Sequence, residues 1–313
     1  MYADYGSGGV EVVGQSGHPE GQYLDLMRRI LDNGDERIDR TGVGTRSVFG
    51  AMARFDLSDG TAPIITTKRV YWKTSTKEML WFLKGGTNIQ DLLRDNVRIW
   101  SDWPLATYRR ETGENIDQEA FERRIVEDDD FAARWGELGP VYGKQWRRWA
   151  GPDGQEHDQI ATLVEMLKTN PSSRRMLFHA WNVAELGEMA LPPCHMVYQY
   201  HVTSDGRLNC LMFQRSVDAL LGLPFNWVGA TALQLMLAQQ ADLRPGEFVW
   251  MAGDAHLYLN HLDQAREQLT REPRPFPKMR LSRRPDSIDG YTIDDFEVEG
   301  YDPHPAIKAD VAV

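Results

Sequence analysis

The sequence predicts an α+β fold: a large mixed β-sheet domain covered by helices, with a small inserted helical region. Three observations point there. Two alternating segments, HMVYQYHV (195–202) and RLNCLMFQ (207–214), flank the turn cluster Thr203-Ser204-Asp205-Gly206 and should pair as an antiparallel hairpin. The segment NWVGATALQLMLAQQ (226–240) is apolar on nearly every side, so as a helix it belongs in the interior. Strand and helix patterns elsewhere follow one another in mixed order, which favours α+β over a doubly wound dinucleotide fold.

In chain order, the first 20 residues are rich in Gly and Ser and read as a flexible leader, and 21–313 as a single domain. Tyr23, Met27, Ile30 and Leu31 recur at helical spacing and stop near Gly34. SVFGAMARFDL (47–57) and PIITT (63–67) read as strands. KEMLWFLKGG (77–86) is an apolar helix ended by a glycine pair, and Thr87 with Gln90 forms a capping-box pattern opening a helix over NIQDLLRDNVRIW (88–100). Residues at about 104–138 are charged and poor in core residues, the pattern of a solvated helical insertion. DQIATLVEMLKTN (158–170) is an amphipathic helix closed by Pro171. RMLFHAW (175–181) precedes the hairpin, and FVWMAG (248–253), MRLSR (279–283) and DFEVEGY (295–301) suggest further strands.

Composition narrows the function. A chain of 313 residues with 42% hydrophobic content supplies a sizeable core. Its net charge of −11 argues against a general nucleic-acid or polyanion binder, which needs a broad basic surface. Two cysteines cannot build a disulfide framework, the start has neither a basic flank nor an apolar run, and no window approaches membrane-spanning length. The expectation is a cytoplasmic protein with no membrane or nucleic-acid partner. An anionic ligand would need positive charge concentrated locally.

One such charge falls beside a cysteine. In the predicted hairpin the start of the first strand lies beside the end of the second, so Cys194 should sit near Gln214, Arg215 and Ser216, with Asp218 beyond. A thiol beside a fixed guanidinium has a lowered pKa. A lone cysteine is more often structural, but Arg215 and the stiff Pro192-Pro193 approach put a reactive thiol on an equal footing with that reading; Cys210, inside an alternating strand, reads as a small buried hydrophobe. His195 follows Cys194 directly, points to the opposite strand face, and makes a poor general base for it. A cysteine hydrolase would instead need His256, in GDAHLYLNH (253–261). His256 and His261 have no acidic or cysteine cluster at ligand spacing, so metal binding is not expected. RTGVGT (40–45) lacks the ending of a P-loop, and SRR (173–175) alone reads as a solvated strand start. Together, Arg40, Arg174, Arg175 and Arg215 are four guanidiniums in acidic company, for which a phosphate monoester is the economical ligand.

The segments RTGVGT, TTKR, EMLWFLKGGTNI, IWSDW, GPVYGKQWR, DQI, SRRM, AWN, MALPPCH, QRSVDALLGLPFN, GDAHLYLNH, REPRPFP and EGYDPHPAIKADVAV run in this order from about residue 21 to Val313. In order and spacing the chain resembles the thymidylate synthase family, near relatives of which are the phage dUMP and dCMP hydroxymethyltransferases. The resemblance implies a thymidylate synthase-like catalytic domain, a homodimer, and transfer of a one-carbon unit from 5,10-methylenetetrahydrofolate to carbon five of dUMP, giving dTMP and dihydrofolate. The relatives imply the alternative of 5-hydroxymethyl-dUMP and tetrahydrofolate, and a phage origin would place the protein in a host's cytoplasm.

The resemblance also implies residue roles. Cys194 matches the nucleophile; Arg40, Arg215 and Ser216 match the phosphate site, with Arg174 and Arg175 donated across the dimer; Asn226 matches the reader of the uracil ring, and His256 and Tyr258 the contacts to the sugar hydroxyl. Asp218, Trp100, Trp103, Leu191, Leu221, Gly222, Phe225 and Val313 match the folate side. Glu78 and Tyr142 match the groups that manage proton transfer. The chain departs from the family pattern at Trp227-Val228-Gly229-Ala230 after LPFN, at Ser101, around Tyr71 and Trp72, and at Asp310 in the tail. Neutral repacking of the core is the expected meaning of Trp227, with a tuned substrate or outcome as the sharper alternative.

Overall fold

The computed structural model describes residues 17–38 and 42–310. In chain order it contains α1 (Gly21–Asn33), β1 (Asp35–Arg37), β2 (Thr45–Asp56), α2 (Trp72–Leu83), α3 (Ile89–Arg94), α4 (Asp102–Thr112), α5 (Gln118–Glu127), α6 (Asp129–Trp135), α7 (Tyr142–Arg147), β3 (Trp149–Ala150), β4 (Glu156–His157), α8 (Gln159–Thr169), β5 (Leu177–His179), β6 (His195–Val202), β7 (Arg207–Asp218), α9 (Gly222–Gln240), β8 (Arg244–Tyr258), α10 (Leu262–Leu269), β9 (Lys278–Leu281) and β10 (Phe296–Glu299).

Six strands form one mixed sheet in the order β1-β2-β8-β7-β6-β5. Only β7 and β8 run parallel, and the crossover between them is α9. Because α9 is apolar all round, it is buried along most of its length between the sheet and α2. Gly229 lets α2 come close: a Cβ there would meet Met79 Cε at 3.3 Å and Ser75 Oγ at 3.4 Å. Trp227 is fully buried, with edge-on contacts to Tyr23, Phe55 and Trp250 at centroid distances of 5.9, 4.8 and 5.6 Å. Burial of such side chains contributes about 2–3 kcal/mol each. Trp227 and Val228, the first two departures after Asn226, are thus filled core positions.

The sheet has two unlike faces. Leu208, Cys210, Met212 and Gln214 of β7 are buried, whereas Asn209, Leu211, Phe213 and Arg215 are only half-buried. Cross-strand pairing puts Leu177 with Gln199, Leu211 and Val249 on that second face, and Val197 with Phe213 and Met251. Leu177 and Met251 are 43% and 37% exposed, so an apolar sheet face is left uncovered by the described residues.

Three expectations need correction. PIITT is not a strand: the buried Glu20 carboxylate takes the backbone amides and hydroxyls of Thr66 and Thr67, at 2.6–2.9 Å, in place of a strand partner. The helix after Gly86 is capped by Asn88, whose side chain accepts from Gln90 N, and it stops at Arg94 instead of Trp100 because Asn96 takes a left-handed conformation at φ 58°. The insertion has its own apolar nucleus: Tyr108 packs on Phe121, Phe131 and Trp135 at 5.6, 5.4 and 5.0 Å.

Candidate active site

The hairpin of β6 and β7 forms as its turn residues dictate, with Gly206 at φ 78° closing it. One refinement appears at its open end: His195 pairs with Gln214, but Val197 pairs with Phe213, so Met196 is an extra residue. Such bulges re-aim side chains where pairing ends. Beyond it, Arg215 N–H donates to Cys194 O at 2.9 Å, which locks the cysteine against the end of β7.

Arg215 then folds its guanidinium over the same loop. Its Nε donates to Pro193 O and its Nη2 to Pro192 O, both at 2.8 Å, and Nη2 stands 3.8 Å from Cys194 Sγ. The Trp181 ring lies 5.5 Å under the guanidinium carbon. The double proline therefore has a geometric role: it presents two carbonyls that hold a cation at the sulfur. From the other side Tyr142, the first residue of α7, accepts Cys194 N–H on its hydroxyl at 2.7 Å. Burial, followed by the neighbouring sulfur, holds the Tyr142 phenol well above its ordinary pKa, so it stays protonated.

Behind Tyr142 lies Glu78 on α2. Burial pushes its carboxyl up to about 7, against the lowering effect of the 2.7 Å hydrogen bond from Trp100 Nε1. Trp100 in turn packs on Trp103 at 5.3 Å. A carboxyl that titrates near neutrality can both give and take a proton at working pH.

The uracil-reading candidate, Asn226, enters from the first turns of α9. A side-chain chain of fixed direction holds it. Trp250 Nε1 can only donate, so Gln214 must offer Oε1 to it at 2.6 Å; Gln214 Nε2 then donates to Asn226 Oδ1 at 2.8 Å. Asn226 Nδ2 is left to face His195 Nε2 at 3.1 Å. Burial lowers His195 to about 4, so its ring is neutral and accepts there, while its other nitrogen lies 3.3 Å from Tyr198 Oη. His195 also stacks on Tyr142 at 4.7 Å. Its two ring nitrogens and its face are thus taken up by Asn226, Tyr198 and Tyr142. Asn226 thus keeps one acceptor site and one donor hydrogen for a ligand, in a known order.

Asp218, at the end of β7, accepts the amides of Leu220 and Leu221 at 2.8 and 3.2 Å. A Cβ at Gly222 would stand 3.8 Å from Asp218 Cβ and 3.9 Å from Asn226 Oδ1, which measures how closely these residues converge. Leu191, Leu221, Phe225 and Trp103 are half-buried and pack on the core, leaving apolar surface exposed. At the next strand, His256 Nδ1 lies 2.6 Å from Asp254 Oδ1, and the Tyr258 ring meets His256 edge-on at 5.3 Å. Ser216 pairs in register with Asp254, so it stands between Arg215 and the histidine strand. Arg174 and Arg175 are exposed before β5, and within the described chain their side chains form no hydrogen bond. Arg40 and Val313 lie outside the described residues.

Residue-by-residue reading missed Gln214, Trp250 and Trp181 as supports, and Lys68, whose buried amine bonds Leu220 O and is lowered to about 8 by burial, with Asp218 opposing. The alternating strand pattern alone could have placed Gln214 beside His195. Among the described residues no cluster of three or more His, Cys, Asp or Glu side chains could hold a metal ion.

Residues 21–313 match the family described as thymidylate synthase. The chain is 75% identical over 296 residues to the thymidylate synthase of Rhodopseudomonas palustris (strain BisA53), a match spanning 95% of this chain and 99% of the relative. It is 76% identical over 296 residues to a thymidylate synthase of Cereibacter sphaeroides, with the same two shares. To that of Sinorhizobium fredii it is 66% identical over 302 residues, again 95% and 99% of the two chains.

Proposed function

The chain belongs to the thymidylate synthase family and is a methyltransferase acting on dUMP; from that premise we propose the residues and the co-substrate by which it works. The observation that carries the assignment is the Cys194 sulfur 3.8 Å from the Arg215 Nη2 in a loop fixed by two proline carbonyls. Cys194 adds to ring carbon six of the uracil, and the displaced electron pair makes carbon five nucleophilic. The 5,10-methylenetetrahydrofolate co-substrate supplies first the one-carbon unit and then the hydride, so that dTMP and dihydrofolate leave. Between these events the carbon-five proton departs, with the Tyr142 hydroxyl and Glu78 as the groups that move protons; its loss breaks the bond to the folate nitrogen and leaves a methylene on the ring. Hydride addition to that methylene re-forms the ring double bond and releases Cys194.

The fixed polarity of Asn226 supports uracil as the base. Its spare acceptor suits the N3–H of uracil and its spare N–H suits O4; cytosine presents the reverse order at both atoms. Arg40, Arg215 and Ser216 hold the phosphate, and His256 and Tyr258 the sugar hydroxyl. The half-exposed Leu191, Leu221, Phe225 and Trp103, with Gly222 and the buried Trp100 beside them, make an apolar seat for the folate ring system, with Asp218 as its polar anchor and Val313 closing over it. A homodimer in the cytoplasm completes the proposal: the uncovered apolar sheet face supports a second copy there, and that copy brings Arg174 and Arg175 to the phosphate.

The test is to incubate the protein with dUMP and methylenetetrahydrofolate, following dihydrofolate by absorbance and weighing the nucleotide product. Dihydrofolate appearing in step with dTMP is expected. Formation of 5-hydroxymethyl-dUMP without dihydrofolate would contradict it.

A further inference from the structure

Arg37 lies on the short edge strand β1, outside every motif read above, yet its guanidinium reaches across β2 into the site. Arg37 Nη2 donates to Ser47 Oγ at 2.7 Å and to Asp254 Oδ2 at 2.9 Å. Ser47 is the direct cross-strand partner of His256. The other oxygen of the same carboxylate, Asp254 Oδ1, is the one 2.6 Å from His256 Nδ1. Both oxygens of Asp254 are therefore assigned, one to the arginine and one to the histidine.

We propose that Arg37 is a positioning residue for nucleotide binding: by holding Asp254 it fixes His256 with its Nε2 lone pair turned to the sugar hydroxyl. The argument follows from donor and acceptor rules. A carboxylate only accepts, so the hydrogen of a neutral His256 must sit on Nδ1, and Nε2 is left as the acceptor. Nε2 bonds none of the described residues, which leaves it for a ligand. Were Asp254 held by His256 alone, its carboxylate could rotate; the guanidinium, itself anchored on Ser47 Oγ, holds the second oxygen and prevents this. Burial acts to raise the Asp254 carboxyl, but its contacts to His256 and then to Arg37 outweigh it and leave it below its ordinary value, consistent with a carboxylate that stays ionised between them. Such an orienting partner on the far nitrogen is the usual way an imidazole is aimed.

The proposal rests on the assignment of His256 to the sugar hydroxyl, and the test separates the two. Dissociation constants are measured by calorimetry for dUMP and for 2′,3′-dideoxyuridine 5′-monophosphate, which lacks the hydroxyl, on the full-length protein and on Arg37→Met, His256→Ala and the double variant. The expected result is that Arg37→Met weakens dUMP about fivefold, the net worth of one hydrogen bond, leaves the dideoxy analogue unchanged, and adds nothing once His256 is replaced. Equal weakening of both nucleotides, or additive losses in the double variant, would overturn the proposal by showing that Arg37 acts on the phosphate or on the fold. If His256→Ala leaves the ratio of the two affinities unchanged, the hydroxyl assignment itself fails and takes the proposal with it. Arg37→Lys, which keeps the charge and one donor, should recover part of the dUMP affinity.

Discussion

Both cysteines of the chain belong to one hairpin, and its two ends treat a thiol in opposite ways. Cys210, within β7 and paired with Tyr200, is 1% exposed, and burial pushes its thiol up to about 12. Cys194, one residue before β6, is half-exposed, with a guanidinium at 3.8 Å and a tyrosine hydroxyl on its own amide. The residue type is the same and the two sit on the same pair of strands. What differs is that the turn end is sealed by the core, while the open end has a bulge, two prolines and the end of a neighbouring strand. On the proposed reading of Cys194 as the nucleophile, reactivity is a property of the place.

The sharpest way to break that comparison is to replace each thiol. Cys194→Ala should lower kcat by on the order of 10⁴-fold or more with little change in melting temperature. Cys210→Ala should leave kcat/KM within about twofold and instead cost about 1–2 kcal/mol of stability, measured by denaturant unfolding, because it opens a small cavity. Comparable activity losses at both sites would end the distinction.

Next in size are the groups around Cys194. Arg215→Ala should cost about 10²-fold or more in kcat/KM, since it removes both the charge at the sulfur and the clasp on the proline loop. Glu78→Gln should cost about 10²-fold in kcat and remove from the pH–rate profile the ionisation near 7. The same change has a stability signature. The folded-state pKa of Glu78 is raised above its unfolded value, so its favourable contribution is present below about 4.5 and is lost as pH rises through about 7. Glu78→Gln should therefore melt higher than the unmodified protein at pH 8, and the gap should close as pH falls; an equal gap at all pH values would mean that Glu78 is not held protonated.

The direction of the Trp250–Gln214–Asn226–His195 chain was invisible in the sequence, because it depends on which residues register places opposite one another. Asn226 itself was legible only through the family resemblance. The hairpin and α9 could be read directly, since alternation and unbroken apolarity are local signals. PIITT has a strand's composition, but a strand also needs a neighbour, and here the Glu20 carboxylate takes its donors instead. The nucleus of the insertion escaped notice because Tyr108, Phe121, Phe131 and Trp135 are widely spaced among charged residues and meet only when α4, α5 and α6 pack. Trp227 is buried in the core, and its contact with Trp250 puts it one step from the amide chain.

The smallest expected effect probes that chain. Trp250→Phe keeps the ring and removes the N–H that orients Gln214, so the KM for dUMP should rise about fivefold and discrimination against dCMP should fall. A rise in KM with discrimination intact would assign Trp250 to packing alone.

The most direct measurement is to find where the nucleotide attaches. With fluorine at carbon five, the proton that must leave after one-carbon transfer is missing, so a covalent adduct formed from 5-fluoro-dUMP and methylenetetrahydrofolate should persist for mass spectrometry of the digested protein. A label on the peptide containing Cys194, with Cys210 unmodified, is the predicted result. A label on any other residue, or none, would contradict the assignment of Cys194 as the nucleophile.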